Sequence, residues 1–258
     1  MDGHYLTGEK MEIQLIRNAT MKITYAGKTF LTDPMLSPKD EFHPFAGKAR
    51  NPTVELPLTN DEILEGIESV LVTHTHPDHF DPAAGKTVPK ELPVFCQPGD
   101  KAQLAEAGFK NITPVDTADV WENITISRTG GKHGSGKILE RMGIVSGFVL
   151  QADGEPTVYW VGDSIWCEDV EDAVEQHNTD IITHSGGATI PGHDPIIMDE
   201  EQTITLTNAY SEAKAVAIHL ELLDHCTVSR DHRLEVAEKA EIPASRLFIP
   251  NDGETLTF

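Results

Sequence analysis

Ser69-Val70-Leu71-Val72-Thr73-His74-Thr75-His76-Pro77-Asp78-His79 is an apolar, β-branched run that delivers four metal-ligand side chains within six residues. Residues 69–73 read as a buried strand feeding that cluster. On an extended chain, residues two apart point the same way, so His74 and His76 can present their imidazoles to one ion. Pro77 cannot continue a strand ladder and turns the chain. Asp78 and His79, beyond the turn, can then face a second position nearby. Imidazole with carboxylate suits zinc, manganese or iron, whereas calcium and magnesium prefer shells of oxygen. Three imidazoles and a carboxylate buried together without an ion would leave polar groups to satisfy.

Working outward, residues 12–17, 21–25 and 29–32 alternate as strands, with a turn at Ala26-Gly27-Lys28. The third ends at Asp33-Pro34, and a loop rich in Pro and Gly runs over 35–57. A loop that long inside a compact domain serves function or moves. Asn60 is placed to cap a helix over 61–67. Downstream, strands are expected at 93–97, 111–115, 123–129, 145–151, 157–162, 180–183, 215–219, 247–249 and 255–258. Helices are expected at 99–107, 168–177, 199–209 and 230–240, the last capped by Ser229. Many strands precede the first long helix, and helices fall late in each half. That order predicts an α/β protein with two sheets and helices outside them, in one domain over 1–258.

The segment Thr73-His74-Thr75-His76-Pro77-Asp78-His79-Phe80-Asp81 resembles the H-x-H-x-D-H signature of the metallo-β-lactamase superfamily. The resemblance implies a four-layer αββα sandwich with two divalent transition metal ions at one edge. By the same resemblance, His74, His76 and His133 hold one ion, Asp78, His79 and His219 hold the other, and Asp163 bridges. Asp33 resembles the family's early strand-end aspartate, which braces a ligand histidine. Asp78 and Asp163 are the expected catalytic carboxylates, with Asp78 taking a proton from the attacking water. His184 and His225 compete with His219 for its place or lie behind the ligands, and His193 is a candidate for touching substrate. His4, His43, His177 and His232 are expected on the surface.

Supporting segments are similar to a lactonase-like branch that includes L-ascorbate-6-phosphate lactonases. They are Gly131-Lys132-His133-Gly134, Tyr159-Trp160-Val161-Gly162-Asp163, Ser185-Gly186-Gly187-Ala188 and His219-Leu220-Glu221 with Asp224-His225. This implies hydrolysis by a metal-bound hydroxide of a small ester, lactone or phosphorylated sugar-like substrate, with zinc or manganese (iron also fits the ligands). Loops 35–57 and 186–198 would wall the pocket and choose the substrate.

Bulk properties narrow the classes. A net charge of −22 opposes the cationic surface that nucleic acid requires, which disfavours a nuclease or phosphodiesterase of this fold. Cys96, Cys167 and Cys226 are few, odd in number and far apart, as in a cytoplasmic protein with reduced thiols. No apolar run is long enough to span a bilayer, and the first ten residues lack the pattern of a secretory signal. A small-molecule substrate is expected, without nucleic acid or membrane; self-association is left open. Flavodiiron proteins would carry Glu at the position of His76, and a metal-free binding relative would have broken ligands. Gly131-Lys132-His133-Gly134-Ser135-Gly136-Lys137 comes within one residue of a phosphate-binding P-loop. However, Ile138 stands where a hydroxyl must hold magnesium, and no long helix is expected after it.

Overall fold

The computed structural model describes residues 10–258. His4 and the start of the chain lie outside them. Two seven-stranded sheets form the molecule. The first opens with β1 (Glu12–Arg17), β2 (Thr20–Tyr25) and β3 (Lys28–Thr32), an antiparallel meander. It continues in parallel through β4 (Ser69–Val72), β5 (Pro93–Cys96) and β6 (Asn111–Pro114). The second repeats that plan. β7 (Ala118–Trp121), β8 (Ile124–Thr129), β9 (Gly147–Gln151) and β10 (Val158–Trp160) run antiparallel. β11 (Ile181–Ser185), β12 (Lys214–Ile218) and β13 (Leu247–Phe248) then follow in parallel. The last strand, β14 (Thr255–Thr257), returns to pair with β1.

Strand parity sorts the side chains into layers. Leu71, Trp160, Val216 and Ile218 enter a core shared by the two sheets. Their neighbours Val70 and Val72 face outward under α1 (Asn60–Leu64), α2 (Ala84–Thr87) and α3 (Lys101–Glu106). On the other side Tyr159, Ala215 and Ala217 face α5 (Glu168–His177), α6 (Glu200–Ala209) and α7 (Arg230–Lys239). This is the expected αββα sandwich.

Several elements differ from expectation. The first helix is capped by Thr59 rather than Asn60, through a reciprocal box with Glu62, and it stops at Leu64. β7 and α2 were not expected; β7 is an exposed edge with no buried face, and α2 has only four residues. A helix, α4 (Gly136–Met142), follows the P-loop-like glycines, and β9 starts only at Gly147. That helix has seven residues and no side-chain cap, so the objection based on Ile138 carries the case against a phosphate loop.

Candidate metal centre

Four strands, β4 of the first sheet and β8, β10 and β12 of the second, end at one edge of the sandwich, and the chain leaving each carries candidate ligands. After β4 the backbone tightens, with His79 N–H and Phe80 N–H both donating to His76 O. Just before this turn, His74 Nε2 lies 3.1 Å from His76 Nδ1. His133 follows β8, and its Nδ1 lies 2.9 Å from Ile196 O, which orients Nε2 inward. Asp163 follows β10 after Gly162, whose φ is +70°. A Cβ on Gly162 would lie 2.7 Å from Ser146 O, so the backbone passes there only without a side chain. His219 follows β12 in the left-handed region, at φ 60°.

The seven expected ligands gather into two groups: His74, His76 and His133 in one, Asp78, His79, Asp163 and His219 in the other. Asp163 connects them. Its Oδ1 lies 3.2 Å from His79 Nε2, and its Oδ2 lies 3.5 Å from His133 Nε2 and 3.9 Å from His219 Nε2. Asp78 Oδ2 lies 3.4 Å from His219 Nε2.

Three of the atoms that converge here lack hydrogen-bond partners. His79 Nε2, Asp163 Oδ1 and His219 Nε2 are all buried without one. Orphaned buried polar atoms are costly unless something absent from the protein satisfies them, and a divalent cation fits this donor set of nitrogen and carboxylate oxygen. Protonation follows the same logic. Burial holds His74 well below its ordinary value and lowers His133 too, which leaves lone pairs free. Burial would raise Asp78 and Asp163, but the surrounding histidines outweigh it and both stay ionised. Burial would lower His79, but Asp163 and Asp33 hold it up at about 10. Protons on His79 and on the likewise raised His219 thus balance the carboxylates in the bare chain.

Asp33 sits behind this group. It accepts Thr73 N–H at 2.7 Å on Oδ1, and the Thr73 hydroxyl and Trp160 Nε1–H, each at 2.8 Å, on Oδ2. That same oxygen is 3.1 Å from His79 Nδ1. His225 stands at the rim, with Nε2 3.9 Å from Asp78 Oδ2. His184 belongs to neither group. It shares the parity of Ile182 on β11 and faces the helical layer, with Nδ1 3.0 Å from Ser185 O and Arg233 nearby. His193 is half-buried in its loop and outside both groups. Two contributors escaped the sequence: Asn18, whose side chain donates to Asp78 O and whose carbonyl accepts His219 N–H, and Cys226, whose Sγ lies 3.4 Å from His219 Nδ1. Neither carries a motif that would have found it.

A cavity of about 170 Å³ opens onto these groups. Its polar floor is His76, Asp78, His133 and His225, and its walls are Phe45, Pro77, Met142, Ile190 and Ile196. Both long loops contribute, 35–57 through Phe45 and 186–198 through the two isoleucines. Among the described residues, no lysine or arginine lines it.

The fold and site define a class, and comparison with known proteins narrows it. Residues 28–220 match the family model described as a beta-lactamase superfamily domain. A curated relative from Bacillus subtilis, UPF0173 protein YddR, is 37% identical over 255 residues, covering 96% of this chain and all of the relative. The chain belongs to the beta-lactamase superfamily, and within it to the UPF0173 group. A crystal structure from Veillonella parvula, described as a possible metal-dependent hydrolase, is 35% identical with a TM-score of 0.93, covering 97% of this chain and 100% of that one. An isothiocyanate hydrolase from Delia radicum gut bacteria is also 35% identical, with a TM-score of 0.88 and coverage of 96% and 99%. The protein is thus a metal-dependent hydrolase of the metallo-β-lactamase fold.

Proposed function

We propose that this hydrolase acts on a small, uncharged electrophile with an apolar substituent, and that isothiocyanates and unphosphorylated lactones or esters are its candidate substrates. The observation that carries this reading is the cavity wall. Phe45, Pro77, Met142, Ile190 and Ile196 can cover an apolar group but offer nothing to a phosphate, and the polar floor has no lysine or arginine among the described residues. A phosphorylated sugar would leave its dianion beside a carboxylate, Asp78, in a chain already at −22. The phosphorylated part of the lactonase expectation therefore loses support, and the ester and lactone part stays open. The similarity to an isothiocyanate hydrolase supports the first substrate class.

The proposed ligands are His74, His76 and His133 for one ion and Asp78, His79 and His219 for the other, with Asp163 between them. Zinc, manganese and iron all suit this set. Bound ions would act as Lewis acids and make water a competent nucleophile near neutral pH. The side chains do the rest. Ionised Asp78 can accept a proton at Oδ2, and His225 Nε2, 3.9 Å away, is placed to pass one to the leaving atom. The apolar walls keep other water away from the reacting carbon. For an isothiocyanate, water oxygen adds to the central carbon, the bonds between that carbon and nitrogen break while nitrogen keeps its substituent, and both water protons end on nitrogen, giving a primary amine and carbonyl sulfide.

Elemental analysis of the purified protein, then assays with alkyl isothiocyanates, short esters, lactones, a phosphorylated sugar lactone and a phosphodiester, tests the reading. Turnover of neutral members is expected. Turnover confined to the phosphorylated compounds would overturn it.

A further inference from the structure

Residues 42–51 form a small hairpin over the mouth of the cavity. Phe42 and Asn51 close its base, with N–H to O distances of 2.7 and 3.1 Å in the two directions. Its interior is organised by a single carboxylate from the far end of the chain, Asp224. The Asp224 oxygens accept Phe45 N–H at 2.9 Å, Ala46 N–H at 3.0 Å, Lys48 N–H at 2.9 Å and Asn51 Nδ2–H at 2.8 Å. Asp224 N–H in turn donates to Asn51 Oδ1 at 2.7 Å. Successive backbone N–H groups converging on one anion make a nest, and here the anion is part of the protein.

The next residue, His225, faces Asp78, and its ring meets that of Phe45 edge-on at 5.5 Å between centroids. One dipeptide therefore holds the loop with its first side chain and floors the cavity with its second. Phe45 is half-buried, and among the described residues it is the one phenyl ring lining the cavity.

Resting on the reading of a small apolar substrate, we propose that Phe45 is the specificity-determining wall for the substrate's substituent and that Asp224 is the positioning residue that sets it against His225. Removing the Phe45 ring then weakens selection for bulky substituents, and releasing Asp224 has the same effect without touching the ring. Substrates whose substituent is too small to reach the wall respond less.

The test uses the full-length, metal-loaded protein as wild type, Phe45→Ala and Asp224→Asn. The kcat/KM for benzyl isothiocyanate is divided by that for methyl isothiocyanate, and the same ratio is taken for phenyl and methyl esters. Both variants are expected to lower the ratio roughly 10-fold, mostly through KM. An unchanged ratio in Phe45→Ala, or equal loss of kcat on every substrate, overturns the specificity role. Limited trypsin digestion at Lys48 and Arg50, both exposed in the hairpin, reads the anchor separately. Asp224→Asn should be cut at least several-fold faster there, while Phe45→Ala is cut at the wild-type rate. Wild-type cleavage of Asp224→Asn overturns the anchoring role. A protein that turns over nothing in the panel overturns the small-apolar-substrate reading and the specificity wall with it, and the digestion then decides the anchor alone.

Discussion

His79 Nδ1 lies 3.1 Å from Asp33 Oδ2, and both side chains are wholly buried. The contact ties together the exits of two neighbouring strands, because Asp33 follows β3 and His79 follows the turn after β4, its parallel partner. Asp33 adopts φ 40°, a conformation a non-glycine residue holds only when its surroundings enforce it. Its four side-chain contacts, two with Thr73 and one each with Trp160 and His79, supply that enforcement.

Asp33→Asn should therefore be severe despite its small change in size. Oδ2 takes three donors and Oδ1 takes Thr73 N–H, so either placement of the new amide NH₂ sets donor against donor. We expect a loss of about 2–4 kcal/mol in the metal-free protein and a metal affinity roughly 10–100-fold weaker. Denaturant unfolding and competition with a chelator measure the two. Unaltered metal affinity would show that Asp33 serves the fold and not the ion.

His79 links metal binding to protons. Burial lowers its pKa, but Asp163 and Asp33 bring it to about 10, above its ordinary 6.5. In the metal-free protein, the stability it contributes is complete below pH 6.5 and disappears as pH rises through about 10. A cation binding Nε2 must displace that proton. Calorimetric titration with zinc near neutral pH, in two buffers of different ionisation enthalpy, should give different apparent heats and at least one proton released per protein. Identical heats in both buffers would mean that the nitrogen is already free.

The sequence disclosed the metal cluster because His74, His76, Asp78 and His79 are adjacent, and short-range geometry alone brings them together. It disclosed the order of strands because buried runs such as residues 70–72 stand out. It did not disclose β7, since Asp119 and Val120 are exposed and the strand exists only through pairing with β8. Between His184 and His219 it was undecided. Both sit at the ends of strands buried on both faces, where apolar runs erase the parity signal. Only the assembled sheets show that His184 points under the helices, whereas His219, turned by its left-handed backbone, points to Asp78. Asn18 was hidden for a related reason: its partners lie 60 residues away and beyond.

Gly162 is a second point where small chemistry has a large consequence. An added methyl group would lie 2.7 Å from Ser146 O and 3.2 Å from Thr73 Cγ2, at a φ of +70° that L side chains rarely adopt. Gly162→Ala must move either β9 or the start of the histidine turn, and the next residue is Asp163. A destabilisation of at least about 2 kcal/mol is expected, with less than one ion retained per protein after gel filtration. If stability and metal content match the wild type, the neighbouring segments have more freedom than these contacts imply.

Asp224 gives a pH dependence remote from the ligands themselves. Burial would raise its pKa, but the bonds from Asn51 and from the Lys48, Ala46 and Phe45 amides hold it at about 2, against an ordinary 3.8. A carboxylate depressed on folding stabilises the protein fully above its unfolded value and loses that effect as pH falls through its folded one. The stability difference between wild type and Asp224→Asn should thus be constant from neutral pH to about 5. It should then shrink between pH 3.8 and about 2, as the wild-type carboxyl gains the proton that makes it resemble the amide. The linked part of the difference is of the order of 2 kcal/mol. Urea unfolding of both proteins at steps down to pH 3 measures it. A difference that grows on acidification would mean that the amides of the 42–51 hairpin do not hold the anion, and the hairpin would need another anchor.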